Sequence, residues 1–182
     1  MKRNTIDKDK IKKSLITVLL IMVGFVLQTT LVQSIAIADV VPNIMLLLVV
    51  LISYVNNVYV GIVTGMTCGF IVDCQYGSVI GVCMLAYVLI GYFCGTLNRV
   101  YYKGDYLIPL GMVAVSELLY SLVIYVTDFL LRGRLNIGFF IKKVVMPELV
   151  YTVFIAVFMY GLICRLYKSK EDKGGNVLWL MI

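Results

Sequence analysis

Residues 40–72 carry no charged side chain. A membrane-spanning helix needs about 20 consecutive, mostly apolar residues. This tract is too long for one crossing and tight for two. Four further apolar tracts flank it, at 14–38, 74–98, 106–131 and 144–164. Glu117 and Asp128 interrupt the third of these, and Glu148 the last. Each tract can cross a bilayer, so the chain reads as one all-α, polytopic membrane domain. Only 14% of the 182 residues are charged, against roughly 25% in a soluble domain. No stretch is long enough for a sizeable soluble domain.

The net charge of +6 is not a nucleic-acid footprint. The bases sit at the ends of apolar tracts, with no basic face interleaved with aromatics. Histidine is absent, which removes the commonest general base and the commonest metal ligand. The five cysteines, at 68, 74, 83, 94 and 164, form no CxxC pair. They read as small buried hydrophobes, and no cofactor or metal site is expected. The first apolar run is longer than the 7–15 residues of a signal-peptide core. It reads as a retained helix despite the cleavage-like Ala36-Ile37-Ala38.

Charge fixes the expected topology. The head, 1–13, holds Lys2, Arg3, Lys8, Lys10, Lys12 and Lys13; the tail, 167–182, with Arg165 just before it, holds Lys168, Lys170 and Lys173. Lys and Arg near helix ends resist translocation, so both termini are expected to be cytoplasmic. Two ends on one side require an even number of crossings. Five tracts then yield six helices, and only the long tract can split. Tyr54-Val55-Asn56-Asn57 is a polar turn signal inside it. The expected helices lie at 14–36, 42–54, 58–73, 78–98, 106–130 and 147–166, within a membrane domain of 14–166. The second is too short to span a normal bilayer, so it either thins the membrane or sits inside the protein. Tyr54 and Tyr59 suit an interface, as do Tyr101, Tyr102, Tyr106 and Tyr167. The outer segment carries Arg132, Arg134, Lys142 and Lys143 and reads as a short amphipathic piece along the membrane surface.

Gly61, Gly65 and Gly69 recur every four residues, with Asp73, Gly77 and Gly81 continuing the interval. Each four-residue step turns about 400°, so the glycines form a nearly straight groove. Such a groove lets another helix approach closely. Gly91 and Gly95 repeat the spacing in the next helix. Ordinary packing within the chain is the simpler reading, and a groove for a partner's helix is the sharper one.

Asp73 ends the third helix, where the dipole disfavours an acid. It needs an Asx-type turn or a base such as Arg132 or Lys143. Ser78 is placed to cap the fourth helix. Pro147-Glu148 has the composition of a helix start, as does Pro42-Asn43. Glu117 lies mid-helix, and an acid inside a membrane is a functional hypothesis by default. It is expected to face inward, protonated or bonded to Gln28 or Gln33.

Taken together, these residues resemble the MreD family of rod shape-determining membrane proteins. The resemblance rests on Pro42 with the Leu-rich run after it and on the Gly61, Gly65, Gly69 and Asp73 ladder. It continues with Gly81 and Leu85-Ala86-Tyr87, then Gly91-Tyr92-x2-Gly95, then Pro147-Glu148. Asn43 departs from it, since the family usually has an acid there. The resemblance implies a non-enzymatic scaffold in the bacterial cell membrane, acting in cell elongation and peptidoglycan synthesis. The implied partners are MreC, a SEDS glycosyltransferase, a class B penicillin-binding transpeptidase and, directly or indirectly, the MreB filament. The implied fold resembles the substrate-binding subunits of energy-coupling-factor transporters, which makes a vitamin-transporter subunit the alternative. That alternative needs small residues on helix 1 to dock its partner, and helix 1 offers only Gly24, Ala36 and Ala38. An intramembrane enzyme is the third reading, with Asp73 and Glu148 as its only plausible outer pair.

Overall fold

The computed structural model describes residues 3–31, 41–76, 80–97, 107–130 and 137–167. Every regular element among them is helical. α1 is Arg3–Val26, prolonged by a wide π turn at Leu27–Leu31. α2 is Ile44–Val55, α3 Val58–Tyr76 and α4 Val82–Leu97. α5 is Leu107–Ile124, also prolonged by a π turn, at Tyr125–Leu130. A short α6, Ile137–Phe140, runs through a third π turn at Ile141–Val145 into α7, Met146–Tyr167.

Four helical stretches are long and apolar enough to cross a membrane: Lys13–Thr30, Val58–Gln75, Leu107–Thr127 and Met146–Leu166. α2 and α4 are apolar but shorter. The long uncharged tract breaks at Asn56 and Asn57. Asn56 closes α2 by giving both its backbone N–H (3.0 Å) and its Nδ2 (2.9 Å) to the Ile52 carbonyl. Two donors on one acceptor tie off the last turn, and Val58 restarts the helix.

α2 is the hub of the bundle. Every residue from Ile44 to Tyr54 is buried, and α2 touches α1, α3, α4, α5 and α7. At about 1.5 Å per residue it is only about 18 Å long. A helix surrounded by protein need not match the bilayer thickness, because its ends meet protein groups. Lipid gives no hydrophobic drive between helices, so close packing and polar contacts hold such a bundle together. Tyr54 is not at an interface. It is buried against Tyr160 of α7, with ring centroids 6.2 Å apart, whereas Tyr59 is exposed.

α3 and α4 form the closest pair. A Cβ on Gly61 would lie 2.5 Å from the Gly91 carbonyl oxygen, and one on Gly65 2.5 Å from the Tyr87 carbonyl oxygen. A Cβ on Gly69 would meet the Met84 backbone, and one on Gly95 would lie 2.7 Å from Val58 Cα. The glycines of α3 therefore lie against the backbone of α4 within this chain. Gly24 of α1 lies instead against a side chain: an added Cβ would strike Leu48 of α2.

Two helix boundaries differ from the sequence expectation. α1 starts at Arg3, so the helix begins within the basic head rather than at residue 14. The last helix does not open at Pro147, because the chain is already helical from Ile137. Proline lacks an N–H and disrupts the normal i→i−4 ladder. The π turn absorbs this: Met146 N–H reaches back five residues to the Ile141 carbonyl. The basic segment around Lys142 is thus continuous with α7. Gly77, Ser78, Gln33, Ala36, Ala38, the 99–105 loop, Tyr106, Arg132, Arg134 and the tail beyond Tyr167 lie outside the described residues.

Candidate functional site

A set of polar side chains is buried where the helices converge. Asn43 caps α2: its Oδ1 accepts the Leu46 N–H at 3.1 Å, satisfying a donor that a helix start leaves free. The same oxygen accepts the Tyr87 hydroxyl of α4 at 2.8 Å. Asn43 N–H donates to Thr152 Oγ1 of α7 at 3.3 Å. The Gln28 side-chain oxygen, in the π turn after α1, accepts the Ile44 N–H at 2.9 Å. One helix start thus ties four helices together. Pro42, buried just before the cap, is outside the helix rather than at its first position. Charge is not needed at position 43, because an amide oxygen accepts both bonds.

Asp73 is almost wholly buried, and it works for the helix after its own. One carboxylate oxygen accepts the N–H of Gly81 and of Met84, each at 2.9 Å. The other accepts the Cys83 N–H at 3.0 Å. These are free donors at the α4 N-terminus, where the dipole favours an anion. Among the described residues the compensating contact for Asp73 is therefore the start of α4. The chain turns back at Gly81, whose φ of +107° is a conformation only glycine adopts readily.

Glu117 is 0% exposed, and no N–H or hydroxyl group among the described residues donates to either carboxyl oxygen. Gln28 is engaged with Ile44 rather than with Glu117. The group that faces Glu117 is Glu148 of α7. Glu148 thus faces Glu117, while the Asp73 carboxylate is engaged at the start of α4. Beside the acids, Tyr120 of α5 and Tyr87 of α4 meet edge to face, with centroids 5.4 Å apart. Tyr120 Oη also contacts Cys83 Sγ at 3.9 Å, and Cys94 contacts Ser116 at 3.8 Å. Cys68, Cys83 and Cys94 are buried, while Cys74 is exposed.

Sequence reasoning passed over Tyr87, Thr152, Tyr120 and Ser121 as members of this interior. The available signal was a hydroxyl inside an otherwise apolar tract, which must find a partner or stand unpaired in hydrocarbon.

These features define a multi-pass, all-helical membrane protein with a polar interior. A family model described as rod shape-determining protein MreD matches residues 8–170, nearly the whole chain, and the chain belongs to that family. No curated protein and no solved structure matches it.

Proposed function

We propose that this protein is a non-catalytic membrane scaffold of the cell-elongation machinery, holding an MreC-like partner and positioning cell-wall synthases. The family match over residues 8–170 carries this reading. The interior supports it: Asp73, Asn43, Tyr87 and Thr152 are engaged in joining helices, which suits a rigid platform. The chain crosses the membrane six times, with α2 and α4 as shortened crossings lined by the longer helices. The head 1–13 and the tail 167–182 lie in the cytoplasm, and 14–166 forms the membrane domain. The lipid-facing surfaces and the outer turns are the contact regions.

The test is recovery of the tagged protein from detergent-solubilised membranes of a rod-shaped bacterium whose own copy is depleted. Rods should return, and an MreC-like protein with a glycosyltransferase and a transpeptidase should co-purify. Recovery of ATPase subunits and a tightly held small molecule, without wall-synthesis proteins, overturns the scaffold reading.

A further inference from the structure

We infer that Glu117 and Glu148 form a binding site for a small monovalent cation, a proton or a sodium ion, inside the membrane-spanning bundle. This goes beyond the scaffold reading and does not depend on it.

Two independent observations converge on the site. Glu117 is completely buried, no N–H or hydroxyl group among the described residues donates to its oxygens, and its carboxyl lies within hydrogen-bonding reach of that of Glu148. Ser121, one turn further along α5 and on the same face as Glu117, is 5% exposed, and its Oγ is also without a hydrogen-bond partner among the described residues. The Glu117 carboxyl and the Ser121 hydroxyl, with the Glu148 carboxyl facing Glu117, thus bring three oxygen-bearing groups to one region between α5 and α7.

A carboxylate in apolar surroundings is costly unless its charge is met, and two facing carboxylates repel. No lysine or arginine is among the buried residues described. The titratable side chains that face the pair are Tyr87 of α4 and Tyr120 of α5, with Cys83 of α4 reaching it through Tyr120. None supplies positive charge. α2, packed on both α5 and α7, carries one titratable side chain, Tyr54, which lies against Tyr160. Among the described residues no side chain supplies the positive charge, so a cation that enters the site would meet it.

The donor set limits which cation fits. A divalent hard cation takes about six or more oxygens. No group of three or more acidic or thiol ligands exists among the described residues. Two carboxyls and one hydroxyl suit a single positive charge held between them.

The local backbone places Glu148. α7 reaches it directly after the π turn at Ile141–Val145. Each residue of an α-helix advances about 100°. The extra residue in a π turn therefore re-aims everything after it relative to what came before.

Infrared difference spectroscopy on the purified full-length protein in detergent tests the site, with choline chloride against sodium chloride. At neutral pH without sodium, the wild type should show a carboxylic-acid C=O stretch that is lost in Glu117→Gln. Sodium that removes the band and raises the thermal midpoint identifies a sodium site. A band insensitive to sodium identifies a proton held by the pair. If Glu117→Gln does not fold, Glu148→Gln and Ser121→Ala should shift the same band. The proposal is overturned if the wild type shows neither the band nor any response to sodium. It is also overturned if the band survives unchanged in the acid-to-amide variants.

Discussion

The Tyr87 hydroxyl of α4 and the Asn43 side chain at the start of α2 are joined by a 2.8 Å hydrogen bond. That oxygen of Asn43 also caps the Leu46 N–H, so one amide both starts the central helix and fastens it to its neighbour. Removing the hydroxyl leaves the cap intact. Removing the amide leaves a helix N–H and a tyrosine hydroxyl unpaired in the interior.

Tyr87→Phe should therefore lower stability by about 0.5–1.5 kcal/mol, the net worth of one hydrogen bond. Asn43→Ala should cost more, about 1–3 kcal/mol, since buried polar groups are left unsatisfied. Denaturant unfolding in a fixed detergent measures both. Equal losses in the two variants would mean that the Asn43 cap contributes nothing.

Asp73→Asn keeps one acceptor oxygen and replaces the other with a donor that faces backbone N–H groups. The α4 start should loosen, with a loss of about 1–3 kcal/mol, while insertion is retained. Cell-shape complementation with membrane abundance measured in parallel is the readout. Rods with normal abundance and unchanged unfolding would show that the three amide contacts are dispensable.

Gly65→Ala places a Cβ 2.5 Å from the Tyr87 carbonyl oxygen and 2.8 Å from its carbon. Backbone cannot move aside as a side chain can, so α3 and α4 must separate, at about 1–3 kcal/mol. Gly111→Ala is the control: an added Cβ there meets nothing within 4 Å. It should be neutral or stabilising by up to about 1 kcal/mol through helix propensity. Comparable folded yields for the two variants would contradict the close α3–α4 approach.

The topology can be read by labelling single cysteines in an otherwise cysteine-free protein. Asn57→Cys and Lys170→Cys should label from the cytoplasmic side. The native Cys74, exposed near the end of α3, should label from outside. Labelling of position 170 only from outside would eliminate the six-crossing arrangement.

The sequence by itself determined the class of the fold. Long uncharged tracts have no stable home but a bilayer or a buried helix. Asn56-Asn57 interrupts the longest of them wherever the chain is folded. The four-residue glycine interval likewise implied a close helix contact, because the spacing nearly matches one helical turn. What the interval could not say was which backbone would fill the groove, and tertiary structure assigned it to α4. The roles of the acids were decided in three dimensions. Asp73 looked misplaced at the end of α3, because dipole reasoning sees one helix at a time; the donors it satisfies belong to the next. Pro147-Glu148 looked like a helix start, because the residue pair does not reveal that a π turn carries the helix through it. Glu117 and Glu148 stand far apart in sequence. Only the packing of α5 on α7 brings their carboxyls face to face.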